Sequence, residues 1–255
     1  MVKGVDKFRE CFKDYSDQFI LIGGTACDFL MREAGLEFRR TKDIDIVLII
    51  EVLNEAFCYA FLDFISAGKY KNQERSGGEK QFYRFSDPKD ESYPKQIELL
   101  SKKAKDLKLL NDRRYTPISV QDETTTLSAL ILDEDYYQYI KSHRVMLSDL
   151  PFIDVECIIV LKAKAWLNNT ERRAKGEAVN SIDITKHKND IVRLSQLLTP
   201  DKHLPLPPSI KEDMIEFIKS YEKSGIDPKS LKVNSKPEEV FARLKSYYLL
   251  DEKES

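Results

Sequence analysis

Glycine and proline are scarce in this chain, at nine and ten among 255 residues. That scarcity excludes collagen-like and low-complexity classes. Cysteine is scarcer still. Cys11, Cys27, Cys58 and Cys157 lie far apart with no Cys-x-x-Cys pair, which argues against a zinc knuckle or ribbon. The longest apolar stretches, such as Ile44 to Ile50, are far too short to span a bilayer. The opening Met-Val-Lys-Gly-Val-Asp-Lys-Phe-Arg-Glu has no apolar core, so no secretory signal is expected. Neither charge sign is in excess: 41 Lys and Arg against 43 Asp and Glu leave a formal charge of −2. That balance excludes a broadly basic nucleic-acid coat, though not a single basic patch. The expectation is a soluble, reduced, cytoplasmic protein with no membrane partner.

Apolar content is ample. Hydrophobic residues make up 42% of the chain, with 12 Tyr and 13 Phe, a composition that disordered chains lack. Val5 to Tyr15 reads as an amphipathic helix with Val5, Phe8, Phe12 and Tyr15 on one face. Phe19-Ile20-Leu21-Ile22 reads as a buried strand ended by Gly23-Gly24. Thr25 is placed to cap a helix over Ala26 to Ala34, with Gly35 as its stop. Asp43 to Ile50 reads as a central strand and Glu51 to Ser66 as a helix. Gln81 to Phe85 and Gln96 to Leu100 read as two further strands. Beyond them, Thr125 to Leu132 reads as a strand and Asp135 to Lys141 as a short helix. From Val155 onward the pattern is helical: Val155 to Asn169, Ile184 to Leu198, Ser209 to Lys223 and Pro237 to Leu249. Residues 1–152 are therefore expected to form an α/β domain and residues 153–255 a helical one.

The chemistry gathers at Gly23-Gly24-Thr25 and Asp43-Ile44-Asp45. Side chains alternate along a strand, so Asp43 and Asp45 point to one face. Carboxylates so close repel unless a cation sits between them, and Mg²⁺ is typically held by one or two carboxylates plus substrate phosphates. Val47 and Ile49 continue that face, so the carboxylates lie where it stops being apolar. Without Cβ atoms, Gly23 and Gly24 allow close approach of a triphosphate, and the helix after them aims its N–H groups at the same phosphates. Glu98, between Ile97 and Leu99, is placed to join the Asp face as a third carboxylate, sharing a second metal and acting as base on an attacking hydroxyl.

Leu21-Ile22-Gly23-Gly24-Thr25-Ala26 with Arg40-Thr41-Lys42-Asp43-Ile44-Asp45-Ile46 resembles the first motif of the nucleotidyltransferase fold superfamily. More narrowly, it is similar to the AbiEii/AbiGii-type nucleotidyltransferase toxins of bacterial abortive-infection systems. Leu161-Lys162-Ala163-Lys164-Ala165 is similar to that family's Lys-x-x-Ala helix, and Lys186-His187-Lys188-Asn189-Asp190-Ile191 to its later Lys/Asp motif. The resemblance implies an α+β fold: a small mixed-sheet core with helices, then a C-terminal helical bundle that completes the active-site cleft. It implies transfer of a nucleoside monophosphate from NTP to a hydroxyl acceptor, with Mg²⁺ or Mn²⁺ as cofactor. The acceptor in such proteins can be an RNA 3′ end, and a cognate antitoxin is a common partner. It assigns Asp43, Asp45 and Glu98 to the metals, Lys162 to phosphate and Asp190 to the catalytic set. Gly23, Gly24, Thr25, Lys42 and Lys186 fall on the nucleotide.

Several of these residues have plainer readings. Lys162 and Lys164 compete for the lysine position, and either fits an exposed helix face. Lys186 and Asp190, four apart, also fit a surface ion pair. Arg39, Arg40 and Lys42 either neutralise phosphates or offset Asp43 and Asp45. Lys102, Lys103, Lys105, Lys108, Arg113 and Arg114 suit an RNA acceptor or a solvated segment. Tyr136, Tyr137 and Tyr139 suit base stacking or the core. At the level of the whole chain, two other functions stay open: a catalytically silent nucleotide-binding or toxin–antitoxin module, and a small-molecule nucleotidyltransferase.

Overall fold

The computed structural model describes residues 2–74, 80–101, 133–225 and 227–250. The chain divides into two compact units, Met1–Asp154 and Val155–Ser255. The expected strand at Thr125 to Leu132 and the basic stretch from Lys102 to Arg114 lie outside the described residues.

The first unit is α+β. Its strands are β1 (Phe19–Ile22), β2 (Asp43–Leu48), β3 (Lys71–Glu74), β4 (Lys80–Ser86), β5 (Gln96–Leu100), β6 (Arg144–Leu147) and β7 (Leu150–Ile153). They form one seven-stranded sheet in the order β3-β4-β5-β2-β1-β7-β6. The sheet is mixed: β2 runs parallel to β5 and antiparallel to β1, while β1 runs parallel to β7. Its helices among the described residues are α1 (Val5–Phe12), α2 (Gly23–Glu33), α3 (Glu55–Gly68) and α4 (Glu134–Ser142).

Aromatic packing holds α1 and α3 on the sheet. Phe8 and Phe12 pack 4.4 Å apart, Phe12 lies 5.6 Å from Phe57, and Phe19 of β1 stacks on Phe57 at 6.0 Å. Phe61 carries the cluster to Phe85 of β4 at 5.6 Å. Helix α3 starts at Glu55, four residues later than the sequence pattern predicts. The reason is local: Asn54 accepts a hydrogen bond from the Phe57 N–H at 3.0 Å, and its own N–H is taken by Gln18 Oε1 at 3.0 Å. Such a cap stabilises by about 1 kcal/mol, whereas each buried Phe contributes about 1.5–3 kcal/mol. Capping therefore sets where α3 begins, and packing sets where it lies.

The β6–β7 hairpin is absent from the sequence reading. Leu147 pairs with Leu150 across Ser148 and Asp149, whose φ angles are +49° and +63°. Two consecutive positive φ values match the turn type that the right-handed strand twist favours. Ser-Asp lacks the Gly that usually announces it.

The second unit is helical: α5 (Val155–Ala174), α6 (Ser181–Leu194), α7 (Pro208–Ser224) and α8 (Pro237–Tyr247). Pro208 and Pro237 stand in the first turns of their helices, where a missing N–H is harmless. Trp166 of α5 meets Phe217 of α7 edge-on at 5.4 Å, and Tyr221 meets Phe241 of α8 at 5.5 Å. The Tyr248 hydroxyl, just past α8, donates to the Glu156 carbonyl at 2.9 Å, tying the last turn to the start of α5. Among the described residues no helix is long and apolar enough to cross a membrane.

Candidate functional site

The β-ladder registers assemble the polar end of the sheet. Residues directly opposite on paired strands point to the same side. Asp43 of β2 lies opposite Gln96 of β5, which lies opposite Ser86 of β4. In the next row Asp45 lies opposite Glu98, and Glu98 opposite Arg84. The row after that is apolar, with Val47 opposite Leu100. Asp43 and Asp45 are half-buried, while Ile44 and Ile46 between and beyond them are wholly buried on the other face. The alternation read from sequence thus places both carboxylates on one face at the mouth of the sheet.

Strand β1 runs against β2, so its last residue, Ile22, sits opposite Asp45. Helix α2 begins at the next residue, Gly23, with φ +66°. A Cβ on Gly23 would stand 2.8 Å from Asp45 Cγ and overlap its Oδ2. A Cβ on Gly24 would stand 3.0 Å from Thr41 Cβ. At Gly23 the positive φ and the overlap together require glycine, and at Gly24 any Cβ would press on the Thr41 side chain. The sequence reading reserved this space for a triphosphate. In the structure the chain itself uses it, packing Asp45 and Thr41 against the start of α2. No side chain caps α2 at Ile22 and no acidic residue stands in its first turn. The positive dipole end of α2 therefore lies beside Asp45.

Thr25 departs from its expected role. It lies inside α2, fully buried, and its hydroxyl donates to the Asp43 carbonyl at 2.7 Å. Its side chain does not cap the helix. It ties α2 to the start of β2.

Glu98 is 9% exposed and firmly engaged. Arg84 Nε lies 2.7 Å from Glu98 Oε1, and Gln96 Nε2 donates to the same oxygen at 2.7 Å. The sequence reading has Arg84 only as a strand residue. Its signal was one cation in the otherwise uncharged run Gln81 to Phe85, but which carboxylate it meets depends on the β4–β5 register.

In the second unit, the structure brings together two predicted residues that the sequence pattern kept apart. Lys162 of α5 is 4% exposed and Asp190 of α6 fully buried. They form an ion pair at 2.9 Å, with Arg193 at 3.5 Å from the other Asp190 oxygen. Lys162 is therefore not on an exposed face, and Asp190 does not pair with Lys186. Lys186 pairs instead with Asp183, at 3.4 Å. Lys164, the competing lysine, meets Asp213 at 2.6 Å. Lys42 is exposed, and its carbonyl accepts from the Lys95 N–H at 3.2 Å. Arg39 lies over the Phe38 ring at 5.2 Å.

The tyrosines of α4 belong to the core. Tyr136, Tyr137 and Tyr139 are all buried. Burial and a hydrogen bond to Glu51 push the Tyr137 hydroxyl well above the usual phenol range. His143 contacts Asp154 at 2.7 Å and His203 the Ser246 carbonyl at 3.0 Å.

Two of the three predicted carboxylates have donor chemistry that suits a divalent cation; the third is engaged by the protein. Asp43 and Asp45 share a face, and the cradle at Gly23 fixes Asp45; such oxygen donors suit Mg²⁺ or Mn²⁺. Glu98 is held by Arg84 and Gln96 through its Oε1. Among the described residues, no group of three or more His, Cys, Asp and Glu side chains is gathered to hold a metal. Compared with protein-family models, curated proteins and solved structures, the chain matches none.

Proposed function

We propose that this protein is a divalent-cation-dependent nucleotidyltransferase that moves a nucleoside monophosphate from an NTP to a hydroxyl acceptor, with an RNA 3′ end as the leading acceptor class. One observation carries the reading. The Asp45 carboxylate lies against Gly23 at the N-terminus of α2, with Asp43 beside it on the same face. Acidic oxygens and the positive end of a helix dipole, opposite in sign, meet at one point. That combination suits a ligand that is itself a cation–anion composite, as a metal-bound triphosphate is.

Asp43 and Asp45 would hold Mg²⁺ or Mn²⁺, which when bound neutralises phosphate charge and raises the nucleophilicity of a hydroxyl. The positive dipole end of α2 orients the phosphates of the metal-bound nucleotide. Thr25, by fixing the Asp43 carbonyl, keeps the strand and helix in register. The acceptor oxygen bonds to the α-phosphorus as the α–β phosphoanhydride bond breaks. Pyrophosphate leaves with that electron pair, and the hydroxyl proton passes to water. Lys162 is assigned to holding Asp190 rather than to a phosphate, in keeping with its burial. A cognate antitoxin remains part of the proposal as a partner.

The test is incubation with Mg²⁺, each labelled NTP in turn and total bacterial RNA, beside Asp43→Asn/Asp45→Asn. Label on RNA from the wild type alone supports the reading. Label on small hydroxylated acceptors but not on RNA moves it to a small-molecule transferase. NTP binding without pyrophosphate release under any acceptor makes the chain a silent nucleotide-binding module.

A further inference from the structure

We infer that the cation site of this chain takes a single divalent ion, on Asp43 and Asp45, because Arg84 has claimed the third carboxylate, Glu98; the inference rests on the transferase reading above. The claim is built into the sheet. Arg84 lies opposite Glu98 on one side and Asp45 opposite Glu98 on the other, so three adjacent strands fix the row. The guanidinium arrives from a ladder position and not from a wandering loop. The pair is close, at 2.7 Å, and shielded, with the two side chains 19% and 11% exposed.

Glu98 Oε1, in ion-pair contact with Arg84, accepts a hydrogen bond from Gln96 Nε2. To ligate a cation through that oxygen, Glu98 must give up both partners and leave Arg84 beside an added positive charge. Breaking a shielded ion pair from one side is strongly unfavourable. Arg84 thus takes the place of a second protein-held metal. Its guanidinium holds the Glu98 side chain in line without a cation.

The deciding experiment is Mn²⁺ titration of the full chain, without nucleotide, followed by electron paramagnetic resonance. One Mn²⁺ per chain is expected for the wild type. Asp45→Asn should weaken binding by at least about tenfold, the range for losing a group that supports a metal. Glu98→Gln, nearly isosteric, should leave the stoichiometry at one and the affinity within about threefold. Arg84→Met frees Glu98 and should add a second Mn²⁺ or tighten the first by about tenfold or more. Two Mn²⁺ on the wild type, or a loss beyond about threefold in Glu98→Gln, overturns the inference. Should Arg84→Met fail to fold, as circular dichroism would show, the wild-type and Glu98→Gln counts still decide. Zero Mn²⁺ on the wild type overturns the inference and the transferase reading together. One Mn²⁺ without nucleotide transfer overturns the transferase reading alone.

Discussion

Gly23 and Asp45 depend on one another at atomic distance. Gly23 holds a positive φ that other residues rarely adopt, and its missing Cβ is the space that Asp45 fills. Gly23→Ala is expected to lose about 1–3 kcal/mol of stability from backbone strain, read by urea unfolding, and to lower transfer further by displacing Asp45. Asp45→Asn keeps the shape and removes the charge. Transfer should fall on the order of 100-fold or more, while the melting temperature stays within about 2 °C of wild type, because a half-buried surface substitution changes little. A variant that unfolds instead would assign Asp45 a structural role. The two Asp residues were legible in sequence because strand periodicity alone puts them on one face. Arg84 was not, because its meaning comes from Glu98, and that pairing is set by strand register.

Helices α5 and α6 share a buried charge pair, Lys162 with Asp190. Removing one partner leaves the other charge buried, so Lys162→Met should destabilise by about 3–5 kcal/mol. Lys162→Met/Asp190→Leu should recover most of that loss, and a double-mutant cycle by chemical denaturation measures it. If the double variant is no more stable than the single, the pair is not the source of the loss.

A second pair, at the start of α5, links stability to pH. Burial pushes the Glu156 carboxyl up, but hydrogen bonds from Lys202 at 2.6 Å and Tyr247 at 2.8 Å outweigh it, and the net shift is downward. A depressed carboxylate contributes stability that is full above its unfolded value of about 4.3 and is lost as pH falls through the lower folded value. Thermal melts from about pH 5 down to pH 3 should therefore fall less steeply for Glu156→Gln than for wild type. Equal slopes would show that the pair does not couple to folding. Helix existence was legible here from apolar spacing, and helix starts were not always. Asn54 shifts α3 by four residues through one hydrogen bond, a choice the hydrophobic pattern does not register.

On the proposed reading, cation binding is expected to be separable from folding over the whole molecule. All four cysteines are free thiols, with Cys27, Cys58 and Cys157 buried. The fold rests on apolar packing, so a chelator should abolish transfer without unfolding the chain. Mn²⁺ at about 100 times its dissociation constant should stabilise the folded form by about 2.7 kcal/mol through mass action. That gain is read as an upward melting shift that EDTA reverses and that Asp43→Asn/Asp45→Asn lacks. Unfolding by EDTA alone would make the metal structural. A reducing agent should leave the melting temperature unchanged, since no disulfide is present to break.

Sequence by itself determined the division into a strand-bearing half and a helical half, the face shared by Asp43 and Asp45, and the glycine pair before a helix. These follow from period, propensity and the absence of a Cβ, all of which act within a few residues along the chain. Tertiary structure alone decided what each charge touches. It gave Asp45 to the cradle at Gly23, Glu98 to Arg84 and Asp190 to Lys162, and it turned Thr25 from a cap into a tie. Such pairings join positions 14 to 28 residues apart, through register and helix packing. Burial then decides them, because a charge taken out of water must find its partner across the fold.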